Sequence, residues 1–265
     1  MLWNTFILAL REIKRHVLRS LLTVLGIVIG VASVIIMVTL GSGATVQVTE
    51  QIASLGSNLL MVSPGKRLGP GRDSTASPFK LADAEAIARD ISSIAAVAPS
   101  SSKPATAIFG NENWSTTITG TDNQYLKVRN WPIERGREFN DGELRAGNAV
   151  CVIGNTIREK LFGEQDPLGK RIRLGKLAFQ VIGLLEAKGQ STMGTDQDDI
   201  VLVPIRAFQR RISGNKDISL IQVSVSDGAS TEKVQGQIER LMRERRHISS
   251  GEEDDFNVMD MKEIA

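Results

Sequence analysis

The chain has 265 residues, 42% of them apolar and 23% charged, with a formal charge of +2, which excludes the disordered and fibrous classes. Arg11, Lys14, Arg15 and Arg19 against Glu12 give the first 19 residues a charge of +3 and leave the rest near neutral at −1, so no basic field for nucleic acid exists. Two histidines, His16 and His247, and one cysteine, Cys151, are too few for a His-based triad, a zinc site or an intramolecular disulfide.

Trp3, Phe6, Leu10, Ile13 and Val17 recur at three- and four-residue steps, with the bases on the other surface. This predicts an amphipathic cytoplasmic interfacial helix over 1–19, held at the membrane interface by Trp3, Arg11, Lys14, Arg15 and Arg19. No charged residue occurs from Ser20 to Thr49, and Leu21 to Leu40 (LLTVLGIVIGVASVIIMVTL) is almost unbroken apolar sequence. A helix of that length rises roughly 30 Å, the thickness of a bilayer core. Two alternatives compete with a membrane span: a buried soluble helix, which is rarely apolar all round for so long, and a cleaved signal peptide, whose apolar region is shorter, at about 7–15 residues. The positive-inside rule puts the N-terminus in the cytoplasm and the rest outside. Gly26 and Gly30 form a GxxxG pattern and, with Ser33, offer a small-residue face for helix packing. Ala44, Val48, Ile52 and Leu55 continue the helical spacing, so one membrane helix and stalk is expected over 20–54, roughly 50 Å long.

Past Gly56 the pattern shortens. LLMVSPG (59–65) reads as a strand, RLGPGRDSTASP (67–78) as a loop, LADAEAIARDI (81–91) as a helix and AAVAPS (95–100) as a second strand. ATAIFG and WSTTITG read as a hairpin over 105–120. A β-rich segment follows, with NAVCVIG, KRIRLG, LAFQVIGLLEA and DIVLVP as strands and NTIREKLFG as a helix. The chain then returns to strand, helix and strand with ISLIQVSVSD, STEKVQGQIERLMRERR and FNVMDM. The expected fold class is α+β: one N-terminal transmembrane helix with a stalk extension, then a two-lobed extracytoplasmic domain. The first lobe is βαβ-type and takes 55–121 and 217–265; a β-rich lobe, 122–216, is inserted into it.

No constellation supports catalysis, a metal or a cofactor. In LFGEQDPLGKRIRLG (161–175) five residues separate Gly163 from Gly169, Arg171 follows Lys170, and Pro167 removes an N–H donor, so it is no P-loop. The Ser-x-x-Lys pairs Ser100–Lys103 and Ser213–Lys216 lie beside Pro104 and in a Gly-Asn turn, away from the helical turn such a pair needs. Asp196, Asp198, Asp199 and the run Glu252 to Asp255 lack the spacing of a calcium loop and read as solvated loops. Arg243, Arg245 and Arg246 read as a solvated helix end, and Cys151 as a residue of a sheet core.

The order of features resembles the permease part of the macrolide exporter MacB family of ABC transporters. The residues that carry this are LRSLLTVLGIVIGVASVI (18–35), IASLGSNLLMVSPG (52–65), TGTDNQYLKVRNWPIERGREF (119–139) and LFGEQDPLGKRIRLGKLAFQVIGLL (161–185). The resemblance implies a permease subunit in the inner membrane with its main domain in the periplasm, pairing as a homodimer or with a second permease. It also implies an ABC ATPase subunit, a periplasmic membrane-fusion adaptor, membrane lipid as surroundings, and mechanotransmission between the two sides. Relatives carry three further membrane helices, so the sequence is expected to be an N-terminal fragment of a longer permease. The competing expectation is a single-span anchored binding or scaffold module; a membrane-tethered enzyme would need a nucleophile, base and orienter, which the sequence does not supply. The inserted lobe is the expected adaptor contact; Arg135, Arg137 and Glu138 in ERGREF stand near its start but are not assigned as contacts.

Overall fold

The computed structural model of the chain describes residues 17–54, 58–65, 76–191, 194–249 and 251–261. The chain divides into two units, one up to Glu50 and one from Gln51 onward. Helix α1, Val17–Ser54, runs unbroken for 38 residues, about 57 Å at the rise of an α-helix. Its stretch Leu21–Thr39 is long and apolar enough to cross a membrane, and its side chains are exposed among the described residues. The Thr39 hydroxyl donates to Ile35 O at 2.7 Å, which satisfies a polar group in an apolar span.

The second unit begins with a four-stranded antiparallel sheet. Its elements are β1 (Leu59–Pro64), α2 (Leu81–Asp90), β2 (Ile94–Phe109), β9 (Leu220–Val225), α7 (Thr231–Arg245) and β10 (Phe256–Asp260). The strand order is β10-β1-β9-β2, and every neighbour is antiparallel. Strands β1 and β2 therefore run parallel with β9 between them, as do β9 and β10 with β1 between them. Two interleaved split β-α-β units of this order form a ferredoxin-like lobe. The sequence dictates the packing: Val234, Ile238 and Met242 lie at four-residue spacing on α7, and Ala84 and Ile87 on α2. These side chains bury against Leu60, Val62, Val97, Ile221, Val223 and Val258 of the sheet. The Ser230 hydroxyl caps α7 by accepting from Lys233 N.

The arginines at the end of α7 are not a solvated tail. Arg243 pairs with Asp254, Arg245 with Asp83 and Arg246 with Asp255. Arg246 also lies 4.5 Å over the Phe79 ring and donates to Ser77 O. Asp254 and Asp255 of the acidic run and the basic cluster, both read from sequence as solvent-facing, are thus paired, while Glu252 and Glu253 are exposed.

Between β2 and β9 the chain builds a second sheet: β3 (Glu112–Thr121), α3 (Gln124–Val128), β4 (Ile133–Gly136), α4 (Asp141–Ala146), β5 (Val150–Ile153), α5 (Asn155–Phe162), β6 (Arg171–Leu174), β7 (Leu177–Leu185), β8 (Ile200–Pro204) and α6 (Ile205–Phe208). Pairing runs β2-β3-β8-β5-β7-β6 and returns to β2. The ring is closed, so these strands leave no edge free to recruit another chain. Strand β4 adds to β7. Inside lie Ala107, Ile118, Cys151, Ile172, Phe179, Val181 and Val203, with Ile157, Leu161 and Phe162 of α5 in the same core. Cys151 is fully buried, and burial pushes its thiol well above the ordinary cysteine range.

The expected boundary at 121/122 does not coincide with a break in this architecture. Strand β2 is one 16-residue strand that pairs with β9 up to Ser100 and with β3 from Ser101 onward, while β3 pairs with β8. Hairpin 105–120 thus belongs to the ring. Pro99 and Pro104 both lie within this strand, where their fixed φ of about −65° is compatible with extended backbone. A third core, with Tyr125, Leu126, Trp131, Phe139 and Leu185, joins Leu59, Ala96 and Ala98 of the first sheet to Val150, Val152 and Leu202 of the ring.

Candidate functional site

A concavity of the second unit lies where the start of α2 faces α6 and the turn after α6. Helix α6 follows β8 directly and buries Ile205, Ala207 and Phe208. It can lie on β3 because residue 120 is glycine: a Cβ there would stand 2.3 Å from Phe208 Cβ. Arg206 and Arg210, four residues apart, donate to Arg145 O (3.1 Å) and Ala146 O (3.0 Å) at the end of α4. A π-turn, Gln209–Ser213, follows and ends at a left-handed Gly214. Lys103 Nζ donates to Ile212 O at 3.2 Å and Gln209 Nε2 to Lys216 O at 3.1 Å, which fixes the turn. Across from it, Lys80 at the start of α2 pairs with Asp217 at 2.6 Å.

These elements enclose a cavity of about 540 Å³ lined by Lys80, Arg206, Arg210, Lys216, Gln209 and Asn215 with the first residues of α2. Among the described residues no carboxylate belongs to its lining. A second trough of about 330 Å³ shares Leu81 and Arg206 with it and adds Ala84, Ala88, Val97, Leu144 and Ile205. Asp122 lines this trough. Burial raises its carboxyl to about 6, although the Gln124 and Tyr125 N–H groups pull the other way.

Of the acids expected to be solvated at 196–199, Asp196 is exposed, Asp199 half-buried and Asp198 buried. Asp198 is buried and accepts from Lys188 N and Gly189 N at 2.9 Å. Asp199 accepts from Trp114 Nε1 and Asp196 from the Thr156 hydroxyl. Of the ERGREF residues, Arg135 pairs with Asp166, and Arg137 makes a bidentate pair with buried Glu143 at 2.8 Å. Glu143 in turn caps α4 by accepting from Asn140 N, and Arg137 holds its carboxyl below the ordinary glutamate value. The stretch 161–175 is the end of α5, a turn in which Leu168 N donates to Asp166 Oδ1, and β6.

Trp3, Arg11, Lys14 and Arg15 lie outside the described residues. Arg19, Gly26, Gly30 and Ser33 belong to α1, and at Gly26 and Gly30 nothing lies within 4 Å of where a Cβ would stand. Among the described residues no group of three or more His, Cys, Asp or Glu could hold a metal. The sequence reading missed the cationic cavity because Lys80 stands 126 residues from Arg206. Only RAFQRRISGNK (206–216), with four bases and no acid, carried a local signal.

The fold and the apolar helix match one class of proteins, the external domains of ABC transporter permeases. The model of the MacB-like periplasmic core domain matches residues 20–241. The chain is 35% identical over 263 residues to the macrolide export ATP-binding/permease protein MacB of Wolinella succinogenes, covering 99% of this chain and 40% of that protein. It is 37% identical over 259 residues to the protein of the same name from Chlorobium luteolum, covering 97% and 39%. The chain thus spans about two fifths of the length of these curated relatives. The periplasmic region of MacB from Actinobacillus actinomycetemcomitans superposes with a TM-score of 0.69 at 23% identity, over 82% of this chain and 95% of that one. The extracellular domain of the noncanonic ABC-type transporter YknZ from Gram-positive bacteria gives 0.61 at 22%, over 76% and 100%. The chain belongs to the family of MacB-like periplasmic core domains.

Proposed function

We propose that the chain is the anchored, external part of an ABC-type efflux permease of the inner membrane, with its N-terminus in the cytoplasm and its second unit in the periplasm. It acts with an ATP-binding unit, pairs with a second permease copy, and engages a periplasmic membrane-fusion adaptor through the inserted ring. A macrolide-like cargo is carried over from the relatives' names. Residues 1–19, with Trp3, Arg11, Lys14, Arg15 and Arg19, anchor the helix in the interface, while Gly26, Gly30 and Ser33 seat a neighbouring helix.

The observation that carries this reading is the length of α1. At 38 residues it exceeds the roughly 20 that a bilayer needs, so the same rigid element extends past the apolar stretch. A stiff helix of this kind can pass a displacement made on the cytoplasmic side to the outside, which is what mechanotransmission requires.

The reading is tested by purifying the full-length gene product from its own membranes in mild detergent and identifying what accompanies it by mass spectrometry. An ATP-binding partner or domain together with an adaptor supports it; a product with neither refutes it. A variant in which residues 103–217 are replaced by a short glycine-rich turn joins β2 to β9 and retains the ferredoxin-like lobe. It should stay folded by circular dichroism and lose the adaptor. Adaptor capture by this folded variant would refute the ring as the contact.

A further inference from the structure

The cavity beside α2 has a property that the transport reading does not use. Lys80, Arg206, Arg210 and Lys216 line it, and Asp217, outside the lining, pairs with Lys80. The local charge is therefore about +3. Among the described residues no carboxylate comes within ion-pair distance of Arg206, Arg210 or Lys216.

The two arginines are nevertheless fixed in place. Each spends one N–H on a backbone carbonyl of α4, and a guanidinium has five. A carbonyl orients the fork without neutralising it, so the charge stays available. The π-turn adds the Gln209 and Asn215 amides to the same wall, and π-turns recur at functional positions. A volume of about 540 Å³ falls in the range of small-molecule sites, roughly 300–1,000 Å³.

The geometry points to a binding site for a small organic anion carrying two or three acidic groups, carboxylate or phosphate, held by Arg206, Arg210 and Lys216 with Lys80 at the rim. A monoanion leaves most of the cavity's charge unmatched. A dianion or trianion matches it and engages both guanidinium forks. Because the cations are exposed, binding weakens as salt rises.

The test is calorimetric titration of the full chain in neutral detergent with citrate, pyrophosphate and acetate. Citrate or pyrophosphate should bind at least about tenfold more tightly than acetate, and the R206Q/R210Q double variant should lose about tenfold or more, each tenfold being about 1.4 kcal/mol. K216Q, whose amine makes no ion pair with a described residue, should weaken binding about threefold and leave thermal unfolding unchanged, so the test survives if the double variant misfolds. R206K/R210K should recover part of the affinity. Absence of binding by either polyanion overturns the assignment, as does binding that the variants leave unchanged. Binding of an acidic Asp/Glu peptide in place of both small anions also overturns it, in favour of a protein partner.

Discussion

Two glycine-to-alanine changes add the same methyl group and should move stability in opposite directions. At Gly154, which caps α5 after β5, an added Cβ would stand 2.1 Å from Asp198 O and 2.9 Å from Asp198 C. Ordinary contact lies near 3.4 Å, so one backbone must give by more than 1 Å. Neither is free to do so. Gly154 N donates to Ile200 O at 3.0 Å, and buried Asp198 holds the amides of Lys188 and Gly189. Overpacking costs about 1–3 kcal/mol, and disturbing the Asp198 bonds adds roughly 1 more, so Gly154→Ala should cost about 3 kcal/mol. For a domain of this size that lowers Tm by roughly 6–12 °C. At Gly236, inside α7, nothing lies within 4 Å of the new Cβ. Replacing a helix-interior glycine there should add about 0.5–1 kcal/mol. The assay is thermal and urea unfolding of both variants of the full chain in the same detergent. A Gly154→Ala protein as stable as the parent would refute the close approach of β5 and the 198 loop on which the ring closure depends.

Two further predictions concern carboxylates. Asp122 has a folded-state value raised from 3.8 to about 6, so the folded protein holds the proton more tightly than the unfolded chain, and stability is lost as pH rises from 3.8 through about 6. Asp122→Asn should therefore raise stability at pH 7.5 by about 3 kcal/mol, falling to about 1 near pH 4.5, checked by urea titrations at both values. Glu143 has the opposite sign: its folded-state value is lowered, chiefly by the hydrogen bonds from Arg137, so it stabilises above 4.5 and loses this as pH falls through the folded-state value. Glu143→Gln should cost about 1.5–3 kcal/mol at neutral pH and flatten the acid limb of the stability profile; an unchanged limb would refute the assignment of that limb to this pair.

What the sequence made legible followed from periodicity and punctuation. Twenty apolar residues specified the membrane stretch of α1, three- and four-residue spacing specified α2 and α7, and alternation bounded by glycine or proline marked most strands. What stayed hidden was long-range pairing. Nothing local tells that β6 returns to β2 and closes a ring, because Ala107↔Leu174 joins strands separated by most of the insert. Charged loops misled for the same reason. Arg246 reads as solvated until Phe79, Ser77 and Asp255 are brought to it by three different connections. The cationic cavity is the extreme case, since its two walls, Lys80 and 206–216, become neighbours only when α2 and α6 are placed.

The two sheets of the second unit share more than a linker. Strand β2 is a member of both, and buried Trp131 stands in the core between them, its indole N–H donating to Glu186 O at 2.6 Å. An insert that hinged freely would expose this core. The sheets should therefore open together, with amides of β9 and β8 exchanging hydrogen at one common free energy. Trp131→Ala removes the largest side chain of the shared core, at a cost of about 3–5 kcal/mol. It should split that exchange into two classes, with β8 opening more readily than β9. Exchange already divided into two classes in the parent chain would overturn the argument, because the two sheets would then open independently despite their shared core.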